Sequence, residues 1–195
     1  MTRFILILIL NVIFQLSIFG QTRTYTLVPG IGFNDFKIGK TTFEDIINKI
    51  GSNYHIDTFY VESTFTLVDD SLDNNDKNSD IYSIGIFYDS LGISFYKYIN
   101  KKTIFSIYLV SPASAITDKG IKLNTSTFND LITIYGQTDW SYTKNKIFKE
   151  YNGIRFEQIS KDKLPHVTDN NSNLYLSKTI TGISIIKKSG RKHSH

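Results

Sequence analysis

Apolar residues recur along this chain with two different periods. In residues 36–51, FKIGKTTFEDIINKIG, Phe43, Ile46, Ile47 and Ile50 stand at i, i+3, i+4 and i+7, the spacing of one helix face. In residues 121–136, IKLNTSTFNDLITIYG, Phe128, Leu131, Ile132 and Tyr135 do the same. The two stretches align without a gap: Lys37 matches Lys122, Thr42 matches Thr127, Phe43 matches Phe128, Asp45 matches Asp130, Ile47 matches Ile132 and Gly51 matches Gly136. A threonine precedes each run and an aspartate follows three residues later, a capping-box start that satisfies the orphan amides of a first turn. Glycine ends each run, as a residue free to take positive φ. The spacing predicts helices over about 42–50 and 127–135. Helices this short do not persist alone in water, so each needs a sheet to cover, with Phe43 and Phe128 buried against it.

Period two marks the sheets. Phe59, Val61, Phe65 and Leu67 alternate with Thr58, Tyr60, Glu62, Thr64 and Thr66, a half-buried strand. A polar stretch, 69–80, interrupts. Strands follow at Ile81–Tyr88, Ile93–Tyr98 and Thr103–Val110, with turns at Asp89–Gly92 and Asn100–Lys102. After the second helix come Trp140–Thr143, Ile147–Tyr151 and Gly153–Ile159, a loop at 160–173, and a last strand near Thr179–Lys187. GISF at 92–95 echoes GIRF at 153–156, and IFSIYLV at 104–110 echoes ITGISII at 180–186. The reading is an α+β chain of two tandem repeats, each a short helix packed on an antiparallel β-meander. Repeat 1 spans 21–110, a linker 111–119 and repeat 2 120–188.

This pattern resembles the tandem helix-plus-sheet repeats of β-lactamase-inhibitory proteins and the related small envelope domains of the SmpA/OmlA type. Its most specific piece is the Thr-to-Gly helix signature. The chain departs from both, having no lipobox Cys and no disulfide Cys. The resemblance implies a non-enzymatic protein that binds partners over a continuous concave sheet. It carries over no functional residue, because Thr42/Thr127, Phe43/Phe128 and Gly51/Gly136 are all explained by fold.

The ends of the chain alter the charge reading. Residues 1–20, MTRFILILILNVIFQLSIFG, place one basic residue before an apolar run and end on a small residue, the layout of a secretory signal peptide. Phe4–Phe19 carries Asn11, Gln15 and Ser17 and is short for a membrane span. The expected address is therefore periplasmic or extracellular, the alternative being an anchor formed by residues 4–19. The net charge of +4 comes from the termini: Arg3, Lys187, Lys188, Arg191 and Lys192, taken from 22 basic residues, leave 17 against 18 acidic ones. A near-neutral body with a basic disordered tail at 189–195 does not read as a nucleic-acid binder, which carries its basic face on the fold.

Candidate chemistry is sparse. Cys is absent, which excludes thiolate chemistry and disulfides. No G-x-S-x-G, H-E-x-x-H, G-x-x-x-x-G-K or G-x-G-x-x-G occurs. His55 precedes Asp57 by two residues on a strand-like run, but no nucleophile accompanies them; His166 stands alone. Asp69, Ser71 and Asp73 alternate like calcium ligands, yet the stretch lacks the Gly and Glu of a calcium loop. No catalytic residue, metal site or cofactor is therefore assigned. The tyrosines remain: Tyr96 and Tyr98 share a face by period two, Tyr108 sits on the next strand, and Trp140 opens the second meander. Such rings bury large area and keep a polar handle. The sequence reads as an exported binding protein acting through Tyr96, Tyr98, Tyr108 and Trp140, with a protein as the partner. The alternatives are an envelope protein that binds glycan or lipid through the same face, and an enzyme with an unrecognised site.

Overall fold

The structure is a computed structural model that describes residues 24–60, 81–143, 145–160 and 173–188. The signal-like segment 1–20, the acidic stretch 69–80, His166 and the tail 189–195 lie outside the described residues. The chain is α+β, mostly sheet with few helices.

Helix α1, Phe43–Ile50, and helix α2, Phe128–Tyr135, begin at the threonines that the pattern singles out. The Thr42 hydroxyl accepts from the Asp45 amide at 3.2 Å, and the Thr42 amide donates back to Asp45 Oδ2 at 2.9 Å. Thr127 and Asp130 do the same at 3.2 and 2.8 Å. These bonds hold both carboxyls below the usual carboxylate range. Gly51 and Gly136 donate to the carbonyls of Ile47 and Ile132 and end the helices. A third helix, α3, is the single turn Asn173–Leu176.

The strands form two sheets. β1 (Thr24–Val28), β2 (Gly32–Phe33), β3 (Phe36–Lys37) and β8 (Ser114–Thr117) make a four-stranded sheet in the order β3-β2-β1-β8. The large sheet contains β4 (His55–Tyr60), β5 (Ile81–Tyr88), β6 (Ile93–Tyr98) and β7 (Ser106–Val110). It also contains β9 (Ser141–Thr143), β10 (Lys146–Tyr151), β11 (Ile154–Ile159) and β12 (Gly182–Ile186). Its order is β4-β5-β6-β7-β12-β11-β10-β9, antiparallel throughout.

Alternation along each strand gives this sheet one core face. Ile86, Phe95, Ile107, Leu109, Ile154, Phe156, Ile183 and Ile185 point into the core and are buried. The helices and the small sheet lie on that side. Phe33 and Phe36 of the small sheet bring their rings to Phe95, with centroids 6.4 and 5.1 Å away. Ile46 of α1 and Phe128 and Leu131 of α2 are fully buried there. Covering one face while leaving the other free is how antiparallel sheets commonly pack.

Three sequence expectations are corrected. Segment 111–119 is not a bare linker: β8 within it pairs in parallel with β1, Tyr25 opposite Ala115, and Ala115 and Thr117 of the strand and Ala113 just before it are buried. The buried positions alternate, but they hold small Ala and Thr residues while the larger Ile116 is only half-buried, so apolar residues do not mark the strand. Phe43 is only half-buried, with the Lys97 ammonium 5.5 Å from its ring centroid. The last strand is shorter than expected, because Thr179 and Ile180 leave the large sheet to meet the start of α2: Thr179 bridges to Thr127, and Ile180 N–H donates to Ser126 O at 2.9 Å. No helix among the described residues is long and apolar enough to cross a membrane.

Candidate binding face

The other face of the large sheet follows from the same register. Tyr96 stands between Gly85 on β5 and Ser106 on β7, and Tyr108 between Ser94 on β6 and Ser184 on β12. Each large ring thus has small residues on both flanking strands. That leaves room for a ring to lie down over its neighbours instead of standing upright, and the serines beneath are buried. A Cβ at Gly85 would strike the Phe87 and Phe59 rings, and one at Gly182 would strike the Tyr108 ring and hydroxyl. Glycine at those two places is what admits the rings.

Tyr108 reaches across Gly182 to Glu157, whose pairing partner on β12 is Gly182. Its hydroxyl donates to Glu157 Oε2 at 3.1 Å. Lys146 Nζ lies 3.4 Å from the same oxygen, and an Arg155 guanidinium nitrogen 4.0 Å from Oε1. Glu157 is 4% exposed, so its charge is balanced within the face. Burial, reinforced by the nearby Glu157 charge, drives the Tyr108 phenol well above its ordinary range. Burial also raises Tyr96, and a hydrogen bond with Tyr82 raises Tyr98. All three therefore stay protonated near neutral pH and act as donors, never as bases.

Further rings complete an aromatic array. Phe59, Phe87 and Tyr96 lie within 5.7–6.2 Å of one another by centroid, and Tyr98 stacks on Phe105 at 4.1 Å. His55 stacks flat on Phe87 at 4.7 Å. Its Nδ1 meets Asp89 at 3.1 Å, while Asp57 accepts from the Thr58 amide. The His55–Asp57 pairing suggested by spacing does not form.

The structure brings Tyr96, Tyr98 and Tyr108 to this face and sends Trp140 elsewhere. Trp140 lies on the helix side, 4.9 Å from the Phe128 ring and 6.0 Å from Tyr175. The Lys149 ammonium sits 4.2 Å over it and donates to Thr138 O. Trp140 precedes β9 rather than lying in the ladder, so strand alternation does not govern its side.

Glu157, Lys146 and Arg155 were not among the residues singled out from sequence. A signal existed for Glu157: aligning GISF with GIRF sets it opposite Tyr96, a carboxylate where the first meander has a ring. Among the described residues no set of three His, Asp or Glu side chains could hold a metal ion.

No family model matches the chain, and no curated protein matches it. The fold is similar to that of a solved structure, the uncharacterized protein YfeY from Escherichia coli. The TM-score is 0.50 at 12% sequence identity, covering 85% of this chain and 100% of that chain. At this identity the likeness shows the fold alone.

Proposed function

We propose that this protein is an exported, non-enzymatic binding protein that engages another protein through the face of its large sheet that no helix or second sheet covers among the described residues. The observation that carries the reading is the array of rings around Tyr96, Tyr98 and Tyr108 on the side away from α1, α2 and α3. Half-buried tyrosines set over small residues are held in place before a partner arrives, so little side-chain entropy is lost on contact. Tyr and Phe in such a patch are typical anchors of protein recognition. The chain is further read as two tandem helix-on-meander units, supported by the twin capping boxes and by the mirrored order of the large sheet.

Photo-crosslinking from the face, with crude envelope extract as the source of partners, tests this. A partner protein should crosslink to the native chain and be lost with Tyr96→Ser and Tyr98→Ser. Both variants should keep the native circular dichroism. Loss at an aromatic anchor amounts to about 2 kcal/mol, roughly thirtyfold in affinity. Capture that survives both substitutions, or binding of glycan fragments or lipid vesicles in place of protein, overturns the reading.

A further inference from the structure

Sheet edges carry unpaired backbone groups, and the four edges here differ in how they are protected. β3, at one edge of the small sheet, is two residues long. β8, at the other, is covered: Thr117 N–H donates to Ile121 O at 2.8 Å, and Leu123 N–H to Ala115 O at 2.9 Å. β9, at one edge of the large sheet, has three residues. β4, at the opposite edge, has six, and no strand pairs with its outer side among the described residues. It contains neither Lys nor Pro, the usual guards of such an edge.

The ladder fixes which groups β4 turns outward. Ile99 N–H donates to Tyr82 O at 3.4 Å, so the Tyr82 backbone faces β6. Antiparallel bonding alternates along a strand. Ile84, Ile86 and Tyr88 therefore bond to β6 as well, and Ser83, Gly85 and Phe87 bond to β4. Their partners on β4 are Phe59, Asp57 and His55. Ile56 and Thr58 are left with N–H and C=O groups pointing away from the sheet. The Thr58 amide agrees with this, because it donates to the side chain next to it, Asp57 Oδ1, at 2.8 Å.

Apolar surface collects at the same edge. Ile56 is 54% and Tyr60 52% exposed, Phe59 is exposed between them, and Tyr82 is exposed beside them on β5.

Asp57 sets the chemistry of what pairs there. It forms no ion pair among the described residues, while His55 is held by Asp89 at 3.1 Å. Its ladder bonds go to β5, so a residue set opposite it on the outer side falls in a non-hydrogen-bonded pair, where side chains approach most closely. Two copies of β4 do not suit this. A two-fold through Asp57 opposes two carboxylates, one through Thr58 sets each carboxylate against a Phe59 ring, and one through Ile56 pairs only residues 55–57. A strand with a cation at that place suits it, and draws the carboxylate off the Thr58 amide that the new ladder needs.

We propose that the outer edge of β4 takes on an added antiparallel strand: an extended segment of a partner protein, with Lys or Arg opposite Asp57 and apolar residues on either side. The residues next to the cation meet Ile56 and Thr58 on the helix side. The next ones out fall beside Phe59 and His55, on the same side as the rings. The inference rests on the reading that a protein docks on that face, and names the element it brings.

The probe is the acetylated, amidated peptide Thr-Val-Val-Lys-Val-Val-Thr, titrated into the isotope-labelled full chain and followed by NMR. The Ile56 and Thr58 amides should shift saturably. With the peptide lysine facing Asp57, the amides of its third and fifth residues face β4, and those of its second and sixth face away. N-methylation of the third and fifth should abolish binding, and N-methylation of the second and sixth should leave it. Glu in place of the peptide lysine should weaken binding roughly fivefold. Asp57→Lys should reverse that preference, which a purely structural role for Asp57 would not do. Thr58→Pro removes the outward donor without touching the bonds to β5, so it should keep the native circular dichroism and bind neither peptide. Tyr98→Ser should bind like the native chain, so the edge and the ring face can fail separately: an inert edge with a partner still crosslinked to the rings sinks only the added strand. No saturable shift at Ile56 and Thr58, equal binding of the two N-methylated forms, or an unchanged preference in Asp57→Lys would each overturn the proposal. So would a dimer of the native chain, seen by ultracentrifugation, that Thr58→Pro dissociates, since a second copy would then occupy the edge.

Discussion

On the helix side of the large sheet, Tyr88 in the first half donates its hydroxyl to Gly51 O at 2.9 Å, and Tyr151 in the second half donates to Gly136 O at 2.8 Å. Each tyrosine ties its strand to the carbonyl at the end of its own half's helix. Lys37 N–H donates to Thr41 Oγ1 at 2.8 Å and Lys122 N–H to Ser126 Oγ at 3.0 Å. Ile104 N–H donates to Thr41 O and Ile180 N–H to Ser126 O, both at 2.9 Å. The opposite face shows no such agreement. Where the first half has Tyr96 and Ser94, the second has Glu157 and Arg155; where the first has Tyr108, the second has Ser184. The lesson is physical. The helix side is a packed interior where volume and buried carbonyls restrict every position. The other side, which no helix or second sheet covers among the described residues, is restricted far less, so its residues can differ in kind. Rings gather in the first half and charges in the second, and Tyr108–Glu157 joins the two at the seam.

The largest expected difference lies under the helices. Phe128→Ala should cost about 3–5 kcal/mol, because the ring is fully buried against Trp140. Phe43→Ala, at the matching but half-buried position, should cost about half as much or less, since less apolar area leaves water there. Urea unfolding of both variants measures this, and equal losses would show that the two helices are seated alike after all.

The seam comes next. Tyr108→Phe keeps the ring and deletes only the donor to the buried Glu157 carboxylate, a loss of about 1.5–3 kcal/mol in stability. A variant as stable as the native chain would mean that Lys146 and Arg155 suffice and that Tyr108 is no bridge between the halves.

Lys149 marks an exception on the helix side. Its residue is fully buried where the first half has Ile86. Desolvation lowers its pKa, opposed only in part by Asp139. Lys149→Ile, which copies the first half, should raise stability by about 1–2 kcal/mol, as replacing a buried charge by a packed hydrophobe often does. The sign of the pH effect follows from the lowered value. Between that value and about 10.4, the ordinary lysine pKa, the unfolded chain holds a proton that the folded chain has released, so stability rises with pH. Melting against alkaline pH should show this rise in the native chain and not in Lys149→Ile.

The smallest effect tests sameness. Thr42→Ala and Thr127→Ala should each cost about 1 kcal/mol, because their caps are alike. Asp45 and Asp130 are both held below the carboxylate range, so the cap contribution is present above the ordinary value and fades as pH falls through the lowered one. Unequal losses from the two threonines would break the match between the helices.

Both helices, their caps and most strands of the large sheet were legible in the chain, because each is a local rule: a capping box, a 3.6 period, an alternation of two. The same alternation sorted Tyr96, Tyr98 and Tyr108 from the core-facing positions beside them. Four matters were decided only in three dimensions. β8 became a strand because β1 offered it a parallel edge, a partner far away in the chain. Trp140 turned to the helix side because Phe128, Tyr175 and Lys149 receive it there. Glu157 became the anchor of Tyr108 because cross-strand register set Gly182 between them. A cavity that Tyr135 and Tyr151 line arose where segments from five parts of the chain converge. Periodicity reports which side of its own strand or helix a residue takes; which distant residue meets it there is set by the packing of the whole chain.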